Sequence, residues 1–305
     1  MTTLAEPTVG YICANVETLT SCTVSLDEEL DEEQPSLPQT RYDDNVYTFG
    51  KIGSRSVAMC CVSFENQSVS GVVVDMMRSF PSIKLLVLVN NNAGAAPRDA
   101  GRVRVGDVVV AHQFVATNRD GDVIEQDLIQ GSGLLATTNM KSCQRWSLDD
   151  DVAALASRNN QWGEKCRRPA KDDTDALDKI FVPRRQDESA SVIHLHGLVI
   201  SNPTYPEHAE SRDSVANLGT FESASIICFD HGQTAGLPMN KQADVDGVSV
   251  LGVSNYCDED TEGTRKIWTR YTSLAAAACA RKIVMQLADE TTPGGTAKAR
   301  GKEDD

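Results

Sequence analysis

The chain is poor in aromatic residues, in basic charge and in long apolar runs. Aromatic residues make up 5% of its 305 residues, and 29 basic residues stand against 44 acidic ones, which gives a formal charge of −15. This excess of negative charge opposes binding to nucleic acid or to an anionic membrane. No segment approaches the ~20 apolar residues that a membrane-spanning helix needs, and no basic and then apolar signal pattern opens the chain. We therefore expect a cytoplasmic protein that binds neither nucleic acid nor membrane.

Sequence signatures for metals and cofactors are missing as well. The nine cysteines show no paired Cys-x-x-Cys spacing, which favours reduced, mostly buried thiols over a disulfide framework or a zinc site. His194 and His196 share one face of a predicted strand, but no third ligand accompanies them, so we expect no metal. Because no flavin, nicotinamide or pyridoxal motif is visible, we also expect no cofactor.

Short apolar runs alternate with helical patterns along the chain. The runs have the length and β-branched content of buried strands, and they fall at residues 85–89, 108–110, 193–200, 225–229 and 248–253. Helical periodicity falls at residues 69–80, 148–158 and 209–218, and again in a long closing helix at 268–287. This alternation implies an α/β fold, a mainly parallel central sheet flanked by helices on both faces.

The same patterns predict one domain. We expect it to span residues 8–288, after a flexible N-terminus at 1–7 and before a disordered tail at 289–305. Residues 165–190 are rich in charge and proline, and we expect a loop excursion there rather than a domain boundary.

Several motifs resemble, in matching order, those of one known family. Residues 9–14 read V-G-Y-I-C-A where that family has V-G-W-I-C-A, and residues 47–53 read Y-T-F-G-K-I-G where it has Y-T-L-G-K-I-G. Residues 228–237 read C-F-D-H-G-Q-T-A-G-L and are similar to the family's C-F-E-M-E-A-A-G-L. Residues 254–258, S-N-Y-C-D, resemble C-D-Y-A-D. On these motifs the chain resembles fungal members of the nucleoside phosphorylase superfamily, which implies a nucleoside phosphorylase-like domain with a mixed, mainly parallel sheet.

The residues that carry out the family's chemistry are replaced in this chain. Asn255 stands where the family has the aspartate that protonates the departing purine, and an amide cannot give up that proton. Asp230 and His231 replace a glutamate and a methionine, and Gly232 or Gln233 falls where a second glutamate holds the ribose hydroxyls. These losses argue against conventional nucleoside cleavage.

Three other family positions have also changed. In an ungapped alignment Thr18 occupies the place of a glutamate that handles the attacking water or phosphate, and Glu17, one position early, is its alternative substitute. The anion-binding loop becomes residues 62–68, which contain Phe64 and no glycine, although glycine is what permits close approach of an anion to the backbone. The third changed position is another glycine-rich segment, which has become residues 89–97 here, and its Asn90, Asn91 and Asn92 form either a turn or a contact with the substrate.

In open α/β sheets, ligands bind beyond the carboxyl ends of the strands, and the altered residues gather there. The candidate catalytic residues are Asn255, His231 and Thr18. The candidate substrate-binding residues are Phe64, Asn90, Asn91, Asn92, Asn202, Asp230, Gln233, Tyr256 and Asp258.

Three classes of function remain compatible with this pattern. The first is residual nucleoside hydrolysis or phosphorolysis, with Asp230 or Asp258 taking over proton transfer, and the second is a non-catalytic nucleoside sensor. The third is a cofactor-independent cyclase, of the intramolecular Diels–Alder type, acting on a hydrophobic terpenoid-like molecule in fungal specialised metabolism. Amides and an imidazole suit neutral carbonyl or hydroxyl groups better than an anion and a ribose, so the third class leads. We expect a homodimer.

Overall fold

The computed structural model describes residues 6–30, 40, 42–62, 68–96, 103–111, 113–117, 129–130, 148–169, 191–195, 198–201, 206, 208–216, 226–231, 233–237, 245–258 and 261–290. The predicted flexible N-terminus at 1–7 and charged loop at 165–190 lie largely outside these residues. The tail predicted at 289–305 begins inside the last helix, which runs to Glu290, and its remainder lies outside them. No described helix is long and apolar enough to cross a membrane.

The described part of the first half of the chain supplies eight strands and two helices. Its strands and helices are β1 (Val9–Cys13), α1 (Val16–Val24), β2 (Glu28–Leu30), β3 (Tyr47–Ile52), β4 (Arg55–Cys61), α2 (Val69–Ser79), β5 (Leu85–Ala95), β6 (Val108–Ala111), β7 (Gln113–Ala116) and β8 (Ile129–Gln130). β1 is parallel to both β4 and β5, whereas β2, β3 and β4 are joined in antiparallel fashion.

The second half supplies the remaining strands and the long closing helix. Its elements are α3 (Asp149–Arg158), α4 (Asn160–Lys165), β9 (Ile193–His194), β10 (Leu198–Ser201), α5 (Ala209–Ala216), β11 (Ile226–Asp230), a 3-10 turn (Thr234–Gly236), β12 (Asp246–Asn255) and α6 (Thr261–Glu290). The main strand order is β2-β3-β4-β1-β5-β11-β10-β7-β8, and β12 joins β5 to β6. This mixed, mainly parallel sheet flanked by helices confirms the predicted fold class.

β5 is the hub of the sheet because its length lets it pair with three strands. Its apolar half, Leu85 to Val89, is buried and lies between β1 and β12, parallel to both. Its second half, Asn90 to Ala95, is polar at first, yet it continues as a strand and pairs with β11 in antiparallel fashion. The sheet therefore brings the ends of β5, β11 and β12 to one place.

α6 covers one face of this hub. Its middle, Leu274 to Ala280, is completely or almost completely buried and consists mostly of alanine, so the helix backbone approaches the sheet closely. Gly252 of β12 permits that approach, since a Cβ there would lie 2.6 Å from the carbonyl oxygen of Thr272. The predicted closing helix at 268–287 is present and is longer at both ends.

Candidate functional site

The strand register places the two most altered motifs beside each other. Gly94 of β5 is the partner of Phe229 in β11 and also of Asn255 in β12. Asp230 is the next residue after Phe229, and in the other direction it pairs with Ser201 of β10. The ends of β10, β11 and β12 therefore meet around the end of β5, as the sequence predicted for a ligand site.

Asp230 is fully buried, and both of its carboxylate oxygens accept hydrogen bonds from the protein. Ser201 Oγ donates to Oδ1 at 2.7 Å, and the backbone N–H of Thr234 donates to Oδ2 at 3.0 Å. The hydroxyl of Thr234 also donates to Oδ2. The carboxylate thus ties β10 and β11 to the 3-10 turn, and this internal bonding leaves it poorly suited to take over proton transfer.

Asn255 holds the turn that follows β12. Its Oδ1 accepts a hydrogen bond from the backbone N–H of Cys257 at 2.9 Å, and its Nδ2 lies 3.3 Å from Ser254 Oγ and 3.5 Å from the carbonyl oxygen of Ala93. Cys257 has a φ of 52°, the left-handed region that side chains other than glycine rarely adopt. The side-chain bond from Asn255 helps to hold that conformation.

The same turn is fixed from outside by Arg212 of α5. This arginine is 5% exposed, and its Nη1 donates to the carbonyl oxygen of Tyr256 at 2.9 Å while its Nε pairs with Asp213 at 2.7 Å. The Tyr256 ring is buried, and its hydroxyl accepts the N–H of Val105 at 3.4 Å. Tyr256 therefore braces the turn. Its predicted contact with a substrate stays a prediction, as does that of the half-buried Asp258.

The three asparagines of β5 do not form a turn; they form a bulge in the strand. The register of β5 against β12 shifts between the pair Asn90–Leu251 and the pair Ala93–Val253, so two residues of β5 oppose one of β12. Asn91 is directed to α6, where its Nδ2 donates to Ser273 Oγ at 2.6 Å. Its Oδ1 accepts from Asn15 Nδ2, also at 2.6 Å. Asn91 is therefore committed to packing.

Asn90 lies on the opposite face, the one that the 3-10 turn covers. Leu88 of β5 pairs with Ser249 of β12, so these two residues and Asn90, two positions further along, share a face. Ser249 Oγ lies 2.9 Å from Thr234 Oγ1 of the 3-10 turn, which places the turn over this face. Gln233 immediately precedes the turn. Asn90 and Gln233 therefore belong to one side of the sheet, near the same strand ends.

Three buried polar atoms near these strand ends have no hydrogen-bond partner. In the described structure, Nδ2 of Asn90, Oδ1 of Asn92 and Oε1 of Gln233 are buried and unpartnered. Oδ1 of Asn90 accepts a hydrogen bond from the backbone N–H of Asn92 at 2.9 Å. The unpartnered atom of Asn90 is therefore the amide nitrogen, which is a hydrogen-bond donor. A buried polar group without a partner costs ~1–3 kcal/mol, which makes these three atoms candidates for contact with a ligand.

His231 is a titratable group whose pKa is changed by its surroundings. Burial, and to a smaller extent the nearby charge of Arg265, lower the pKa of its imidazole to about 4. Both effects disfavour the charged ring. His231 is therefore a neutral imidazole at pH 7, able to donate or accept one hydrogen bond at each nitrogen.

The remaining predicted site residues fall into two groups. Thr18 is fully buried in α1. Its hydroxyl takes part in the capping box of that helix, where it accepts a hydrogen bond from the backbone N–H of Asn15 at 3.0 Å. Its predicted role as a donor to substrate has no support in these contacts and stays a prediction. Phe64 and Asn202 lie outside the described residues.

Metal and nucleophile chemistry find little support in the described regions. No group of three potential metal ligands occurs among the residues with defined positions, and His194 Nε2 is bonded to Asp107 Oδ2 at 3.0 Å. Burial raises the pKa of the Cys228 thiol well above its ordinary value, which opposes a role as nucleophile. A surface groove of about 440 Å³ lies between α1, β2 and α3, and none of the predicted site residues lines it.

Sequence reasoning missed the residues that organise the site. Ser201, Thr234 and Arg212 bond to the altered motifs, but only the sheet register and the approach of α5 reveal it. A general signal for a partner such as Thr234 exists, because aspartate side chains often accept hydrogen bonds from backbone N–H groups close by in the chain.

Comparison with solved structures identifies the class of fold. The 5′-methylthioadenosine/S-adenosylhomocysteine nucleosidase of Neisseria meningitidis is similar over 91% of this chain and 98% of its own, with a TM-score of 0.59 and 12% identity. Futalosine hydrolase of Helicobacter pylori is similar over 92% and 98%, with a TM-score of 0.54 and 12% identity. An aspartate-to-asparagine variant of the H. pylori nucleosidase, with 5′-methylthioadenosine in its active site, is similar over 92% and 99%, at 0.54 and 12%.

The protein thus has the fold shared by these nucleosidases, and the nucleoside phosphorylase-like fold predicted from its motifs is confirmed. No protein-family model and no curated protein matches the sequence. At such low identity the likeness concerns the fold alone. Membership of the fungal branch stays a prediction.

Proposed function

We propose that the protein is a cofactor-independent cyclase that binds an uncharged, largely hydrophobic molecule at the ends of β5, β11 and β12. The observation that carries the proposal is a neutral set of buried, unpartnered polar atoms near these strand ends, contributed by Asn90, Asn92 and Gln233. A neutral ligand with a carbonyl or hydroxyl group satisfies such atoms. None of these three side chains offers a positive charge to an anionic substrate.

Asn90 is the group best suited to assist a cycloaddition. Its Nδ2 is a hydrogen-bond donor with no partner, on a residue 1% exposed, and its orientation is fixed by the bond that Oδ1 accepts from Asn92. The hydrogen bond from a donor that is fixed in place and shielded from water becomes stronger as negative charge develops on the carbonyl oxygen of a dienophile. Holding the two reacting ends of one molecule together supplies the remaining acceleration, and neither effect needs an acid, a base or a metal.

The two titratable groups of the altered motif agree with neutral chemistry. His231 is uncharged at pH 7 because its pKa is lowered to about 4, and the Asp230 carboxylate is bonded internally to Ser201 and Thr234. A pocket with these side chains offers hydrogen bonds rather than protons.

A model substrate tests the proposal. We suggest a triene with a tethered α,β-unsaturated ketone as dienophile, incubated with the protein or with heat-denatured protein, and with cyclised product followed by chromatography. We expect native protein to accelerate cyclisation, and Asn90→Leu to abolish the acceleration, whereas Asp75→Asn, on the surface of α2, should not. Equal rates with native and denatured protein for a panel of such ketones would refute the proposal. The norbornene-forming Diels–Alderase of sordarin biosynthesis, which we suspect the chain resembles, is the first protein to compare with it.

A second candidate function is nucleoside binding without efficient cleavage. The solved aspartate-to-asparagine variant of the H. pylori nucleosidase retains 5′-methylthioadenosine in its active site, and in this chain Asn255 stands where family resemblance places an aspartate. Loss of a general acid costs ~10²–10⁴-fold in rate but need not abolish binding. The residual hydrolase and the sensor both fall within this candidate.

Calorimetric titration with adenosine, inosine, 5′-methylthioadenosine and phosphate, run beside a base-release assay, separates the two candidates. Nucleoside binding without base release would support the second candidate, and Asn255→Asp should then increase base release. Base release by the natural protein would identify a nucleosidase and overturn the cyclase. The homodimer and the location in the cytoplasm are part of our proposal, and light scattering tests the former.

A further inference from the structure

Two free cysteines lie directly opposite each other in the parallel strands β1 and β4. Cys13 is the register partner of Cys61. The backbone N–H of Val62 donates to the carbonyl oxygen of Cys13 at 2.9 Å, so the two strands remain paired up to this point. Neighbouring strands lie ~4.8 Å apart, and disulfides join residues whose Cα atoms are ~4.4–6.8 Å apart. The backbone separation of Cys13 and Cys61 is therefore one that a disulfide bond can span.

Both side chains are directed to the face of the sheet that α1 covers. Register partners in adjacent strands share a face, because side chains alternate in step along both strands. A hydrogen bond with Cys22 of α1, together with burial, raises the pKa of the Cys13 thiol well above its ordinary value. Burial, the Cys13 thiol and the charge of Glu17, also in α1, raise the pKa of the Cys61 thiol to about 11. The two thiols thus face each other beside the same helix.

The two thiols differ in exposure, which sets the order in which they can react. Cys13 is fully buried, whereas Cys61 is half-buried, so a small oxidant reaches Cys61 first. With raised pKa values, little of either thiol is thiolate at pH 7, and attack is slow. The reduced pair also gains no stability as thiolate, and this favours the disulfide at equilibrium. Such a pair is slow to oxidise and, once oxidised, hard to reduce.

We propose that Cys13 and Cys61 form a redox modification site, at which a low-molecular-weight disulfide such as glutathione disulfide converts the two thiols into a cross-strand disulfide. The Cys61 thiolate attacks the small disulfide, forms a mixed disulfide and releases one thiolate. The Cys13 thiolate then attacks the Cys61 sulfur and releases the second. Two protein thiols are oxidised, and their two electrons and two protons convert one small disulfide into two small thiols. The site uses none of the residues of the proposed cyclase pocket.

The test treats the full chain with glutathione disulfide at pH 8.5, where the thiolate is about thirtyfold more abundant than at pH 7. Remaining thiols are then alkylated, and the unfolded protein is digested with trypsin. Residues 1–41 and 56–78 are separate tryptic peptides, which contain Cys13 and Cys61 respectively. We expect mass spectrometry to show these two peptides joined, in place of the two alkylated peptides, and dithiothreitol to separate them again.

Cys60→Ala is the matched control, because Cys60 is next to Cys61, lies in the same tryptic peptide and alternates to the opposite face of the strand. The joined peptide should persist in Cys60→Ala and in Cys22→Ala, and it should be absent from Cys61→Ala. In the natural protein, a bond between Cys13 and Cys22 within one peptide would overturn the proposal. Glutathione retained on Cys61, or thiols that all remain reduced, would overturn it as well.

Discussion

Replacement of Asp230 by asparagine tests whether this buried carboxylate holds the site together or acts on a substrate. The carboxylate accepts from Ser201 Oγ at 2.7 Å, from the Thr234 N–H at 3.0 Å and from the Thr234 hydroxyl. An asparagine keeps one acceptor oxygen. The loss is smallest when that oxygen faces Thr234 and the NH₂ group faces Ser201. In this orientation the bond that Ser201 Oγ donates to a charged group is lost, and the two bonds from Thr234 are weaker because their acceptor is neutral.

Hydrogen bonds to charged groups contribute about 1.5–3 kcal/mol each. Because the amide is also less costly to bury than the carboxylate, we expect a net loss of about 2 kcal/mol for Asp230→Asn. Urea unfolding followed by tryptophan fluorescence should show a lower midpoint with an unchanged slope. Asp75→Asn is the control, because Asp75 lies 4.0 Å from Arg78 near the surface of α2 and should change stability by less than about 0.5 kcal/mol.

A variant as stable as the natural protein, or more stable, would refute this reasoning. Catalytic groups are often held at a cost to stability, so removing one tends to stabilise the fold. That outcome for Asp230→Asn would return the carboxylate to the list of groups that act on a substrate.

Three further predictions concern the surroundings of the pocket. The pKa of His231 is lowered to about 4 from an ordinary 6.5. The unfolded chain therefore takes up the proton first, and stability should fall as pH drops from about 6.5 to 4. In His231→Gln the urea midpoints measured at pH 7.5 and at pH 5 should differ less than they do in the natural protein. Gly106→Ala should cost about 2–4 kcal/mol in urea unfolding, because φ is positive there and the added Cβ meets Trp268 at 2.7 Å. Arg212→Ala should cost about 2–4 kcal/mol, since it removes a charged donor from the Tyr256 carbonyl oxygen, and Arg212→Lys should recover part of this loss.

The fold could be predicted because buried strands and helices leave local patterns. The expected strand at 108–110 and helix at 69–80 match β6 (Val108–Ala111) and α2 (Val69–Ser79) almost residue for residue. β5 was predicted to end at Val89, because asparagine is a poor strand residue. It continues to Ala95 because β11 and β12 supply pairing partners that the local sequence does not reveal.

The candidate site was predictable in position but not in detail. Motif resemblance brought Asp230 and Asn255 to one place, and the register around Gly94 agrees with it. The resemblance could not show on which face of the sheet each of the three adjacent asparagines lies. Asn90 and Asn91 lie on opposite faces because a strand alternates, and only the contacts with the 3-10 turn and with α6 determine which face is which.

The bonds around Asn255 explain how the fold can persist without the acid that resemblance places there. Oδ1 accepts the Cys257 N–H, a bond that an aspartate oxygen makes equally well, and Arg212 fixes the same turn independently through Tyr256. The second side-chain atom faces the Ala93 carbonyl and Ser254 Oγ at 3.5 and 3.3 Å, and an amide nitrogen meets a carbonyl oxygen more favourably than an ionised carboxylate does. Replacing an acid by asparagine at this position therefore removes proton transfer while leaving the turn intact. Loss of the acid and retention of the turn are compatible, and this compatibility is what the proposed recruitment to neutral chemistry requires.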